Sequence, residues 1–215
     1  MQSPTPEHSL PPREIEFRTM RQSDVEASVS LVAHVFSSRE PLALILGLSL
    51  EHMTALVERL LSTARRERSF VATHAGRVVA VLLNESFDDP EITLPAHLAG
   101  DFAPLFDFLG KMDERYFQQS GMNKSKFFHQ FIGAVDSDYS NLSISENLIN
   151  LSNREAKAWG FAHSIAEVTG EISKRVLVHK CGYTEEFSTR FEHIQGKIRA
   201  QNMDTTCSLV TKLLF

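Results

Sequence analysis

The stretch "KFFHQFIGAVDSDYSNLSISENL" (Lys126 to Leu148) carries two patterns joined by a turn. "KFFHQFIGAVD" is an apolar run of strand length, and "NLSISENLINLSNREAKAWGF" repeats apolar residues three and four positions apart, as a helix ending near Gly160 does. Between them lies an acidic, hydroxyl-rich turn. A strand running into a helix N-terminus is an anion site, because the first N–H groups of the helix have no internal partners and its dipole favours negative charge. Phosphate cradles at such junctions use glycine so that the backbone can approach the anion closely. No glycine occurs from Ala134 to Trp159.

Outward from this junction the chain alternates strand and helix. "EIEFRTM" predicts a first strand. "RQSDVEASVSLVAHVF" and "LSLEHMTALVERLLSTARRE" predict two helices, the first capped by Ser23 or Asp24. "SFVATHAGRVVAVLLNES" predicts a hairpin turning at Ala75-Gly76. "LPAHLAGDFAPLFDFLGKMDERYF" reads as helix with breaks at Pro104 and Gly110. After the central junction come a strand ("AHSIAEVTG"), a helix stopped by Gly182 ("EISKRVLVHKCGY") and two strands ("YTEEFSTRFEHI", "CSLVTKLLF"). The order β, α, α, β, β, α, β, α, β, α, β, β predicts an α/β (α+β) fold with a mixed central sheet flanked by helices. Residues 1–13, with four prolines and no apolar core, are expected to form a flexible tail before a single domain over 14–215.

The 215 residues carry a net charge of −5, which argues against nucleic acid as a partner. "RRER" (Arg65 to Arg68) reads as a solvated helix end. Two cysteines without ligand spacing and nine scattered histidines predict neither a metal nor a disulfide framework, and point to a reducing, cytoplasmic setting. No segment reads as a membrane span. The apolar ending "CSLVTKLLF" fits a monomer's last sheet strand and a strand paired across a homodimer equally well.

"VFSSREPLALILG" (Val35 to Gly47), "GAVDSDYSNLSISENL" (Gly133 to Leu148) and the helix ending "HKCGYTEEF" together resemble the GNAT N-acetyltransferase superfamily over residues 14 to 215, and within it the arylalkylamine and dopamine N-acetyltransferase group. The resemblance implies a GNAT-type sheet of about six to seven strands. It also implies acetyl-CoA as cosubstrate, no metal, and a small-molecule amine as acceptor. In the family an "RGxGxA" turn wraps the pyrophosphate of coenzyme A. Here Ser140 stands at the arginine, Asn141 and Ser143 at the glycines and Ser145 at the alanine, with Leu142 and Ile144 between them, so a weakened cradle of hydroxyls and helix N–H groups is implied.

By the same resemblance Glu40 is the general base. Main-chain N–H groups around Ala134 and Val135 hold the thioester carbonyl, and Thr169 or Ser173 stands near the serines that the dopamine-acetylating group uses. The superfamily's tyrosine acid is replaced by Val178. An apolar acceptor pocket is expected from Phe36, Leu42, Leu44, Ile45 and Leu46, with Phe102, Phe106, Phe108 and Phe117. The missing glycines, arginine and tyrosine leave a second reading open, a non-catalytic protein of the same fold that binds a ligand or partner. A third reading, acetylation of protein lysine, would use "ESFDDPE" (Glu85 to Glu91) as an acidic groove.

Overall fold

The computed structural model describes residues 14–61, 64–190 and 206–215; the predicted tail at 1–13 lies outside them. Seven strands form one sheet in the order β1-β2-β3-β4-β5-β7-β6. They are β1 Ile15–Thr19, β2 Phe70–His74, β3 Arg77–Ser86, β4 Phe127–Val135, β5 His163–Val168, β6 Thr184–Arg190 and β7 Thr206–Leu213. Every pairing is antiparallel except β4 with β5. The hairpin turns where expected, since Ala75 and Gly76 both have positive φ, the conformation that a two-residue loop between twisted strands requires.

Two apolar layers sandwich the sheet. Along β3, Val81 and Leu83 enter the core built with α1 (Val25–Arg39), α2 (Pro41–Leu46), α3 (Leu50–Leu61) and α4 (Ala96–Ser120). Ala80 and Leu82 enter the core built with α5 (Ile144–Ala158) and the α6 segment that begins at Glu171. Successive strand residues face opposite sides, so a strand buried on both faces must be apolar throughout, as "VVAVLL" is.

Four readings change on folding. Pro104 and Gly110 do not break α4, which runs unbroken for 25 residues. A proline inside a helix loses one N–H bond, and here the apolar packing of Phe102, Phe108 and Met112 carries the helix through. The "EPLALIL" segment forms a third early helix, α2. "RRER" is a separate 3₁₀ turn rather than a solvated helix end: Arg65 is buried and bonds the Glu85 carboxylate at 2.7 Å, and Arg68 bonds Asp89 at 2.7 Å. The acidic "ESFDDPE" segment is thereby partly consumed. Finally, β7 lies between β5 and β6, so both its edges are paired within the chain.

Gly47 ends α2 with φ +68, the left-handed cap position, and nothing lies within 4 Å of a Cβ built there. Gly47→Ala should therefore cost about 1–2 kcal/mol from backbone strain alone. Urea denaturation measures it, and an unchanged midpoint would mean the turn has another conformation open to it.

Candidate active site

The β4–β5 pairing holds for only three residue pairs, ending at His129 with Ile165. Beyond that point the strands separate. Gln130 is the first β4 residue past the separation, and a buried polar cluster on the α5 side holds it: the Tyr183 hydroxyl donates to its Oε1 at 2.8 Å, and its Nε2 donates to Ser152 and Asn153 at 3.1 Å. A cavity of about 450 Å³ opens between the strands.

The alternation of the ladder shows which main-chain groups face this opening. Asp136 N–H donates to the Val79 carbonyl at 2.9 Å, and the register pairs Ala134 with Val81 and Ile132 with Leu83. In an antiparallel ladder hydrogen-bonded pairs alternate, so Ala134 and Ile132 spend their groups on β3. Gly133 and Val135 turn theirs to the splay. Of the two residues expected to hold a carbonyl, Val135 turns its N–H to the splay, without an acceptor among the described residues, and Ala134 does not; Gly133, a glycine compatible with close backbone approach, joins Val135 there.

Glu40 stands at one wall of the cavity. Proline disfavours helical backbone in the residue before it, so Pro41 ends α1 at Arg39 and leaves Glu40 extended, at φ −75 and ψ 124, as the N-cap of α2. Its Oε2 accepts the Ala43 N–H at 2.5 Å. Its Oε1 is buried and has no donor among the described residues. Burial raises the carboxyl above its ordinary value, against the opposing effects of the Thr169 hydroxyl and the α2 N–H groups.

The cavity wall is mostly apolar, but its composition differs from the expected one. Phe36 and Leu42 line it, joined by Val35, Leu105 and Leu109. Leu46, Phe102, Phe108 and Phe117 pack the core, Ile45 and Phe106 pack against it, and Leu44 is exposed.

At the cradle, both residues at glycine positions adopt glycine-like backbone, Asn141 at φ 63 and Ser143 at φ 53. For asparagine this is common, and for serine it is a strained state held by its surroundings. The main-chain N–H groups from Asn141 to Glu146 have no acceptor among the described residues. That backbone fits a phosphate. The side chains fit it less well. Ser140 Oγ already donates to the Ser137 carbonyl at 2.8 Å, and Glu146 adds negative charge in the first turn of α5, offset by Lys180 at 3.6 Å. Leu142 is exposed, Ile144 is buried, and Ser145 lines the cavity.

Thr169 and Ser173 also line the cavity, at the start of α6. Neither caps it: the N-cap is Gly170, with no side-chain bond. Val178 falls in the π-helical turn Val176–Lys180 that continues α6. Glu40, Val135, Ala134, Ser145, Thr169 and Ser173 are thus gathered at one cavity, and Ser140 to Ile144 lie at the neighbouring helix end.

A second cavity residue escaped the sequence reading. Glu167 on β5 lines the cavity, and its carboxylate meets the buried His129 Nε2 at 2.7 Å. His129 Nδ1 bonds Glu85 at 3.0 Å. Burial works against the imidazolium, but the two carboxylates outweigh it and hold His129 charged well above its ordinary range. The available signal was a charged residue inside each of two apolar strands, "FFHQF" and "SIAEV".

No protein-family model and no curated protein matches this sequence. Solved structures do. Arylalkylamine N-acetyltransferase 2 from Aedes aegypti is 18% identical, with 94% of this chain and 99% of that one covered at a TM-score of 0.70. The Drosophila melanogaster polyamine N-acetyltransferase that forms N-acetylagmatine is 18% identical, with 93% and 100% covered at 0.74. The C-terminal condensation domain of Ebony, bound to beta-alanyl-dopamine, is 17% identical, with 94% and 99% covered at 0.73. At these identities the likeness establishes the fold, that of the GNAT N-acetyltransferases.

Proposed function

We propose that this chain is an acyl-CoA-dependent N-acetyltransferase, moving the acetyl group of acetyl-CoA to the amine of a small acceptor with an apolar or aromatic body by direct attack. The observation that carries this reading is Glu40: a buried carboxylate oxygen with no donor among the described residues, at a cavity where β4 and β5 part after three residue pairs. Likeness of fold to amine acetyltransferases supports it.

In this reading Glu40 takes a proton from the acceptor's ammonium, directly or through one water, and the neutral amine attacks the thioester carbonyl. The N–H groups of Val135 and Gly133 stabilise the negative charge that develops on the carbonyl oxygen. Acetyl-CoA supplies the acyl group. The loop from Ser140 to Ser145 and the first turn of α5 would hold its pyrophosphate, and Thr169 or Ser173 would pass a proton to the departing thiolate. No helix among the described residues is long and apolar enough to cross a membrane. With both cysteines free and buried, we place the protein in the reducing cytoplasm.

Calorimetric titration with acetyl-CoA tests the reading. Micromolar binding is expected. Absence of binding at millimolar concentration would favour the non-catalytic alternative. The triple variant Ser140→Arg, Asn141→Gly, Ser143→Gly should tighten acetyl-CoA binding by about tenfold or more, since a charge-assisted contact and two unstrained turn residues are gained. An unchanged dissociation constant would count against the weakened-cradle account.

A further inference from the structure

Behind the part of the cavity wall formed by Glu167 lies a group of polar residues that the chemistry above leaves unused. Glu85 is matched by Arg65 and His129, and Glu167 by His129. That leaves Asp113. On α4, Leu105, Leu109 and Asp113 recur every four residues, hence on one face; the two leucines line the cavity and Asp113 sits one turn further on. Asp113 Oδ1 and Glu167 Oε1 are both buried, and neither has a hydrogen-bond donor among the described residues. Two such oxygens tolerate each other only with a proton between them. Burial and the Glu167 charge accordingly push Asp113 up to about 9. The cavity's other buried carboxylate, Glu40, is near enough that Cys207, enclosed by the group, has its thiol raised by burial and then by Glu167, Glu40 and Asp113.

A buried acid held neutral for want of a cation lowers stability, and such sites persist where a ligand uses them. We propose that the Asp113–Glu167 pair is a binding site for a cationic group, a primary ammonium or a guanidinium, carried on the acceptor at the end remote from its reacting nitrogen. The proposal rests on the reading of the cavity as an acceptor pocket, and it narrows the acceptor to a molecule with an apolar middle and a positive group at each end. The N–H groups of the bound cation donate to the two carboxylate oxygens, and the proton they shared passes to solvent. No three of these groups converge as metal ligands among the described residues, so the fit is to a hydrogen-bonding organic cation. The charges acting on the pair are His129 from β4 and Lys124 from the turn before β4; Glu85 of β3 holds the other nitrogen of His129, and Glu40 acts together with the pair on the Cys207 thiol of β7.

Titration of the full chain with 1,3-diaminopropane through 1,6-diaminohexane and with the matching monoamines, near pH 7 in two buffers of different ionisation heat, tests this. The best diamine should bind about tenfold more tightly than its monoamine and release close to one proton. Glu167→Gln and Asp113→Asn should each abolish both the preference and the release, with thermal unfolding checking that the variants are folded. Equal affinities in the unmodified protein overturn the proposal, as does a preference that survives both substitutions. Acetyl-CoA plays no part in the titration. Diamine binding without acetyl transfer would therefore leave this site standing and remove the transferase reading, and transfer to amines without a diamine preference would do the reverse.

Discussion

Replacing Glu40 with glutamine is expected to lower kcat/KM for amine acetylation by about 10²–10⁴-fold, the usual contribution of a positioned general base. Glutamine keeps an oxygen to accept the Ala43 N–H, so the α2 cap survives, but it cannot take a proton. The pH profile separates this role from a structural one. Glu40 must be ionised to act, and burial raises its carboxyl above the ordinary carboxylate value. In the unmodified protein, activity should therefore rise with pH through that raised value. In the variant, the acid limb should vanish along with the rate. Unchanged turnover across the pH range would remove Glu40 from the reaction.

The buried cluster beyond the cavity should respond to two substitutions with opposite signs. His129→Ala strips Glu85 and Glu167 of a shared cation while both stay buried, which should cost about 3–5 kcal/mol near neutral pH. His129 is raised, so its contribution is whole below the unfolded histidine value and fades as pH climbs through the folded one. Glu85 and Glu167 are lowered, so theirs is whole above the unfolded glutamate value and fades as pH drops through the folded one. The gap between variant and unmodified protein should be widest between those unfolded values, about pH 4.5 to 6.5.

Asp113→Asn goes the other way. Asp113 is raised to about 9, so folding takes up a proton there, and stability falls as pH increases from the unfolded aspartate value toward 9. Asparagine imitates the protonated acid without that loss. It should stabilise the protein by on the order of 2 kcal/mol near pH 7, and by more at pH 8.5. Urea titrations at three pH values would show both effects. A destabilising Asp113→Asn would mean that Asp113 is ionised and paired.

Local patterns made much of the fold legible. The positive-φ turn at Ala75-Gly76, the strand of alternating fate in "VVAVLL", and the Gly160 and Gly182 stops, at φ 91 and 71, all depend on neighbours a few residues away. So does Glu40: "REP" contains the helix end, the extended residue and the next helix start in three positions. The α4 breaks failed because Pro104 carries a local cost that distant packing offsets, and "RRER" misled because Arg65 finds its partner twenty residues away in β3.

By itself, then, the sequence determined the order of the strands, the strand-to-helix junction after β4 and the chain break at Glu40, because each is written in residues that touch along the chain. Tertiary structure alone decided that β4 and β5 part after three pairs, that β7 lies between β5 and β6, and that Glu85, Asp113, His129 and Glu167 meet. Those four come from β3, α4, β4 and β5. Their charges acquire meaning only when burial removes the water that would otherwise screen them.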